Sequence, residues 1–214
     1  MMLKGILFDF DGVVVKSMEQ HFDAWQKAFA EKNVHITAEE FFIMEGQGID
    51  TISRKIGDAH GLTAKEVAEV KERKVSHYNQ YMTITFYDYF LSMLKALHQR
   101  NISKGIVTGG TRDRVLKIVD KYFDGEFSCI VTVDDVRRGK PFPDPFLKGA
   151  ELLHLKAEEC IVIENAPLGI RAAKEAGMTV IAITTTLPSE FLKEADFIYN
   201  DFKAIEVQLN KLLA

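Results

Sequence analysis

The 214-residue chain has two cysteines, five prolines and one tryptophan. Two cysteines are too few for a disulfide framework. Cys129 and Cys160 each lie in an apolar run, so both are expected to be buried free thiols rather than a bridge or metal site. No excess of basic residues is present: the formal charge is -4, which removes the electrostatic footprint of a nucleic-acid binder. No apolar run approaches the roughly 18 residues that a membrane span needs. The start, Met1-Met2-Leu3-Lys4, leads directly into an apolar segment without the layout of a signal peptide, so a cytoplasmic protein is expected. Internal repeats and low-complexity tracts are also missing. With no exposed apolar surface evident, a monomer without membrane or nucleic-acid partners is the expectation.

Periodicity divides the chain. From about residue 17 to 82 the patterns are helical, with no convincing strand. Met18, Phe22, Trp25 and Phe29 fall on one helix face. Thr37-x-x-Glu40 and Thr63-x-x-Glu66 read as capping boxes, the second followed by Val67, Val70, Tyr78 and Tyr81. Gly46-Gln47-Gly48 breaks the pattern as a loop. From about residue 86, helices such as Phe90, Leu91, Leu94, Leu97 alternate with strands such as Gly105–Thr108, Ser128–Val131, Cys160–Ile163 and Thr179–Ile183. Alternation of this kind predicts βαβ units and a parallel sheet. The expected fold class is therefore α/β, a doubly wound, Rossmann-like parallel-sheet core. Residues 1–16 and 83–214 would form that core, with an all-helical domain, 17–82, inserted after the first strand.

In an open α/β sheet, ligands collect beyond the carboxyl ends of the strands. The first strand, Gly5-Ile6-Leu7-Phe8, ends in Asp9-Phe10-Asp11-Gly12. Two carboxylates so close are costly unless a cation lies between them or one holds a proton. Thr108-Gly109-Gly110 follows the next strand and reads either as a helix cap and turn or as a phosphate cradle of hydroxyl and backbone N–H groups. Lys140 lies in the proline-stiffened Arg138-Gly139-Lys140-Pro141-Phe142-Pro143-Asp144; it is either a solvated lysine or a fixed ammonium for a phosphoryl oxygen. Glu164-Asn165 closes a fully apolar strand, as helix caps or as hard oxygen ligands for Mg²⁺. Asp11 beside Gly12 also has a reading as a turn residue. Together the four positions complete one phosphoryl-transfer site.

Taken in order, these motifs resemble the haloacid dehalogenase superfamily, in the branch of β-phosphoglucomutase and small sugar-phosphate phosphatases. D-x-D-G matches Asp9 to Gly12; the Ser/Thr motif matches Thr108; G-K-P-x-P-D matches Gly139 to Asp144. The acidic pair followed by a G-I-x-A-A-x-x-A-G run matches Glu164-Asn165 through Gly177. Receiver domains use similar residues on such a sheet but lack the helical insert. The resemblance implies an aspartyl phosphate on Asp9 and acid/base work by Asp11, which requires Asp9 ionised and Asp11 protonated at the first step. It implies Mg²⁺ held by Asp9, the Asp11 carbonyl, Glu164 and Asn165, with Thr108, Gly109 and Lys140 on the phosphoryl oxygens and Gly110 beside them.

One departure from the family pattern is Asn165, which stands where a second acid is usual; one negative charge is missing and weaker metal affinity is expected. The helical insert would be a cap over the substrate. By the same resemblance His21, Gly46, Gln47 and Lys74 are candidate substrate contacts. A hinge or surface histidine, and a solvated face for Arg73-Lys74, are the plainer readings. Where the mutase carries a cap arginine for a distal phosphate, this chain has Ile49, with Arg54 in another helical phase. The missing bidentate clamp favours a Mg²⁺-dependent phosphatase for small phosphorylated metabolites, chiefly sugar phosphates, over a phosphomutase. A phosphate-binding protein with poor turnover and a phosphonate hydrolase are further readings.

Overall fold

The computed structural model describes residues 3–213. Met1 and Met2, from the N-terminal run discussed above, lie outside the described residues. The first strand, β1 (Gly5–Phe8), is buried along its whole length. Alternation decides where its side chains go. Ile6 and Phe8 enter one apolar cluster and Leu7 another, on the opposite face of the sheet.

After β1 come four helices: α1 (Met18–Ala30), α2 (Ala38–Phe42), α3 (Ile49–Ala59) and α4 (Ala64–Tyr81). They pack on a cluster of their own, built from Trp25, Phe29, Phe41, Ile52, Ile56 and Val70. Both capping boxes form: Glu40 N–H donates to the Thr37 hydroxyl and Glu66 N–H to the Thr63 hydroxyl, with each glutamate returning the bond. The Gly46-Gln47-Gly48 stretch is the loop between α2 and α3, and Gly46 takes φ +88°. A side chain is strained in that conformation.

The chain then alternates through α5 (Phe90–Gln99), β2 (Ser103–Val107), α6 (Arg112–Tyr122), β3 (Cys129–Val131) and α7 (Asp144–Leu152). It continues through β4 (Cys160–Glu164), α8 (Pro167–Glu175), β5 (Thr179–Ile183), β6 (Phe197–Tyr199) and α9 (Phe202–Leu212). Among the described residues the sheet order is β3-β2-β1-β4-β5-β6, every pair parallel. The doubly wound α/β expectation is met. Helices α5, α6 and α9 cover the Ile6/Phe8 face, α7 and α8 the Leu7 face. The chain reverses its winding direction between β1 and β4, and the crevice of an open α/β sheet lies at such a point.

Two stripes read from periodicity end differently. Tyr81 is 61% exposed and Leu91 49% exposed, against an expectation that both pack. Leu91 is one residue off the α5 stripe, which runs Phe90, Met93, Leu94, Leu97. On α4 the buried stripe is Val70, Lys74, Tyr78, so a lysine takes a place that apolar counting gives to neighbours. Cys129 and Cys160 are buried and free, as expected.

Phe90 is a hub of the cluster on the Ile6/Phe8 face. Its ring meets Phe8, Phe123 and Phe202 edge-on, at centroid distances of 6.1, 6.2 and 5.2 Å. Truncating so buried an aromatic ring costs about 3–5 kcal/mol. Phe90→Ala is therefore expected to lower the urea unfolding free energy by that amount; a loss under about 1 kcal/mol would show that the cluster collapses without cost.

Candidate active site

The turn that carries the two aspartates is tight. Gly12 N–H donates to the Val15 carbonyl at 2.8 Å and Val14 N–H to the Phe10 carbonyl at 2.9 Å. Gly12 has φ +89°, and a Cβ there would lie 2.2 Å from the Asn165 amide nitrogen, so glycine is required twice over. Phe10 is fully buried between the two acids. Asp9 stays on the ladder, its N–H donating to the Ile163 carbonyl at 3.0 Å. Asp11 turns away from it, and the two carboxylates have separate partners.

Asp9 belongs to a buried ion cluster. The Lys140 ammonium donates to Asp9 Oδ1 at 2.6 Å and to Glu164 Oε1 at 2.6 Å. It lies 5.0 Å from the Phe146 ring centroid, and its side chain is 1% exposed. The other Glu164 oxygen accepts from the Asn165 and Ala166 N–H groups at 2.7 and 2.8 Å. Burial pushes the Asp9 carboxyl up; Lys140 opposes this, and Glu164 adds to it. Against the pull of burial, Asp9 and Glu164 raise Lys140, so it is a permanent cation.

Asp11 belongs to a second cluster. Its Oδ1 accepts from the Ser17 hydroxyl at 2.6 Å and from Arg114 Nη1 at 2.9 Å; Arg114 Nη2 reaches Oδ2, completing a two-point fork. His21 Nε2 lies 3.2 Å from Oδ1, and Lys74 Nζ lies 2.9 Å from His21 Nδ1. An ammonium can only donate, so Nδ1 accepts and Nε2 carries the proton given to Asp11. Burial and the Lys74 charge push His21 down to about 3, consistent with that neutral ring. Burial would raise Asp11, but Arg114 and His21 outweigh it and hold the carboxyl well below its usual value. In this arrangement Asp11 is the partner of Arg114, whereas the resemblance implies a proton on it at the first step. Burial, then the Arg114 charge, pushes Lys74 down to about 7.

The other candidates gather around the same cavity of about 630 Å³, lined by Asp9, Asp11, Glu45, Lys74, Thr108 and Arg114 among others. The Thr108 hydroxyl accepts from Gly110 N–H at 3.0 Å. A Cβ on Gly109 would meet the Gly46 carbonyl oxygen at 2.5 Å, and one on Gly46 the Lys140 Cδ at 3.1 Å. Gly46 and Gln47 are thereby seated directly on the sheet's loops. His21 and Lys74 are 8% and 7% exposed, neither a surface histidine nor a solvated lysine. Arg73 instead pairs with Glu31 at 3.2 Å on the exterior. Ile49 lines the cavity and Arg54 is exposed, so no guanidinium enters from that helix.

Sequence reasoning missed four participants: Ser17, Glu45, Tyr78 and Arg114. Glu45 changes the reading of Asn165. The Asn165 amide N–H groups donate to Glu45 Oε1 at 2.7 Å and to the Thr186 hydroxyl at 3.1 Å. A carboxyl group from the helical unit thus lies against the amide at 165. An aspartate at 165 would oppose Glu45 rather than bond it. The signal available was position: Glu45 adjoins the glycine loop, and Arg114 lies in the first turn after a strand-end loop.

Three acids and one ammonium leave surplus negative charge here. Asn165 Oδ1, Glu45 Oε2 and Gln47 Oε1 are buried without a hydrogen-bond partner among the described residues. Buried oxygens left unpaired are costly, and hard oxygen donors of this kind suit Mg²⁺. Burial, with Asp9 adding, pushes Glu45 well up. No three acidic, histidine or cysteine side chains converge on one point among the described residues. The donor set that fits is mixed: Asp9, Glu45, the Asn165 amide oxygen and the Asp11 backbone carbonyl. Both Glu164 oxygens are already taken by Lys140 and backbone N–H groups.

Gly46 and Gly109 form a tight seam between the helical unit and the sheet's loops. Gly109→Ala is expected to lift the loop. Amide hydrogen exchange over residues 44–52 should then rise about tenfold or more while the sheet amides hold, since local opening samples a small part of the global free energy. Unchanged exchange in that loop would mean that the seam yields elsewhere.

Comparison with known proteins agrees with this geometry. The family model described as haloacid dehalogenase-like hydrolase matches residues 6–183. Hexitol phosphatase A of Escherichia coli is 30% identical, over 97% of this chain and 95% of that one. Validoxylamine A 7'-phosphate phosphatase of Streptomyces hygroscopicus is 28% identical, over 95% of this chain and 96% of its own length. A solved Bacteroides vulgatus structure, a candidate β-phosphoglucomutase, superposes with a TM-score of 0.87 at 29% identity, covering 99% of this chain and 89% of that one. The chain belongs to the haloacid dehalogenase-like hydrolases.

Proposed function

We propose that this protein is a Mg²⁺-dependent phosphatase of small phosphorylated metabolites, sugar phosphates among them, acting through an aspartyl phosphate on Asp9. The observation that carries the reading is the placement of Asp9. It stands at the carboxyl end of β1, on the wall of the 630 Å³ cavity, with one oxygen fixed by the Lys140 ammonium at 2.6 Å. A nucleophile held by a buried cation is oriented for in-line attack and keeps its geometry through the reaction. The relatives add support: two named phosphatases match almost the full chain.

Each side chain then has a task. Asp9 attacks phosphorus. Lys140, the Thr108 hydroxyl and the Gly109 N–H bind the phosphoryl oxygens. Asp11, once the Arg114 fork opens and it takes up a proton from solvent, would protonate the departing oxygen, and its carboxylate would then accept a proton from the attacking water. Bound Mg²⁺ would supply the charge that keeps Asp9 ionised and neutralises the phosphoryl oxygens. Asp9, the Asp11 carbonyl, Asn165 and Glu45 would hold it, with Glu164 steadying Lys140. Helices α1–α4 act as the cap, residues 17–82, over the core of 1–16 and 83–214. Gly46 and Gln47 shield the phosphoryl group from bulk water, and His21 and Lys74 support Asp11 and line the leaving-group chamber.

The phosphomutase alternative draws on the β-phosphoglucomutase of Bacillus subtilis, 28% identical over 85% of this chain. It also draws on the Asp11–His21–Lys74 chain of contacts. The apolar Ile49 in the cavity wall weighs against it, because a second phosphate finds no guanidinium from α3. Asp9→Asn is expected to remove phosphate release from hexose and pentose phosphates by about 10³-fold or more, while the circular dichroism spectrum stays native. Appreciable residual release would end the nucleophile assignment. Phosphorus NMR of the native protein separates the two activities: inorganic phosphate marks the phosphatase, a new phosphate ester the mutase.

A further inference from the structure

Arg114 is held in place on several sides. Its guanidinium forks onto Asp11, with Nη1 2.9 Å from Oδ1. It lies 5.7 Å from the Phe10 ring centroid and 5.8 Å from that of Tyr78, and Nη1 is 3.5 Å from the Tyr78 hydroxyl. It passes over Gly110, where a Cβ would lie 2.5 Å from Nη2. The second glycine of the Thr108 loop therefore makes room for the guanidinium. Lys74 lines the same cavity, also buried, touching His21 Nδ1 and lying 5.5 and 4.9 Å from the Trp25 and Tyr78 ring centroids. Its ammonium has no carboxylate partner among the described residues. The chamber beyond the phosphoryl site thus carries a half-buried guanidinium, Arg114, forked on Asp11, and the buried amine of Lys74.

Resting on the phosphatase reading, we infer that Arg114 is a specificity residue for the leaving group, and that the preferred substrate is a phosphate ester with a carboxylate one or two carbons from the ester oxygen. Three points support this. The Asp11 carboxylate is shared by Arg114 and His21, and Lys74 has no carboxylate partner among the described residues, so a second negative charge in this chamber gains charge-assisted donors. Arg114 already grips a carboxylate in a two-point fork, so a substrate carboxylate replaces Asp11 like for like. Reach sets the distance: the fork lies against the residue assigned to protonate the ester oxygen, so only an anion close to that oxygen can engage it. The exchange has a consequence for positioning. While the fork is on Asp11, that carboxylate is turned toward α6; when the substrate takes the fork, Asp11 is free to address the ester oxygen. A neutral leaving group leaves the fork where it is.

The test compares 2-phosphoglycolate with 2-hydroxyethyl phosphate, which match in length and differ in the carboxylate. With native protein and Mg²⁺, kcat/KM is expected to favour 2-phosphoglycolate by about tenfold or more, the worth of one charge-assisted fork. Arg114→Gln should bring that ratio toward one, chiefly through the KM of the carboxylate ester. Arg114→Lys, which keeps the charge and loses the fork, should fall between. A native ratio at or below one, or a ratio that Arg114→Gln leaves unchanged because both esters decline together, overturns the inference. Calorimetry on the Asp9→Asn protein separates this from the phosphatase reading. Tighter binding of 2-phosphoglycolate without turnover of any ester by the native protein would retain the anion site and reject the phosphatase. Equal binding and equal turnover of the two esters would retain the phosphatase and reject the anion site.

Discussion

One buried ammonium organises the site. Lys140 enters the sheet from a proline-stiffened loop and meets carboxylates from two neighbouring parallel strands, Asp9 after β1 and Glu164 at the end of β4, each at 2.6 Å. Without it, two buried acids would face each other across the point where the sheet reverses its winding. Breaking a buried ion pair by removing one partner costs about 3–5 kcal/mol because an uncompensated charge remains. In the proposed reading, that cost secures the position of the nucleophile. Phe146 under the ammonium, and the two N–H groups on Glu164, leave Lys140 a single position. Asp9 is in turn fixed from a loop 131 residues away in sequence.

The seam between the helical unit and the core is the second constraint. Gly46 lies against Gly109 and Lys140, and Glu45 reaches Asn165. Glu45 Oε2 and Gln47 Oε1 of the helical unit and Oδ1 of Asn165 in the core are each buried and without a hydrogen-bond partner among the described residues. In this reading the metal-binding charge is divided between the two units, and an asparagine at 165 is the residue that lets a cap glutamate approach. The acid site is then complete only when the cap is down, which couples water exclusion to assembly of the catalytic groups.

Much of the fold and part of the site were legible in the sequence, for a physical reason. Strand-end residues announce themselves because an apolar run stops at a polar group: Asp9 after Leu7-Phe8, Thr108 after Ile106-Val107, Glu164 after Val162-Ile163. The same logic located both capping boxes. What could not be read depends on packing between distant segments. Glu45 looks like any helix-end acid until α2 is set down on the sheet. Arg114 looks like a surface residue of an amphipathic helix until Gly110 opens a path for it. Lys74 falls on a stripe with Val70 and Tyr78, and its burial follows from His21 and Trp25 on another helix. The charge state of Asp11 belongs to the same class. The pair of acids in sequence leaves open which of them carries a proton, and the partner that lowers Asp11, Arg114, lies 103 residues on.

The central claim is that one divalent cation is held jointly by core and cap. Calorimetric titration of Mg²⁺ into the metal-free protein, native and Glu45→Gln, measures this directly. The account predicts a single site in the native protein and affinity lower by about tenfold or more when the cap carboxylate becomes an amide, the scale on which ligand-shell changes act. Equal affinity in the two proteins would place the cation on the core alone and contradict the shared site.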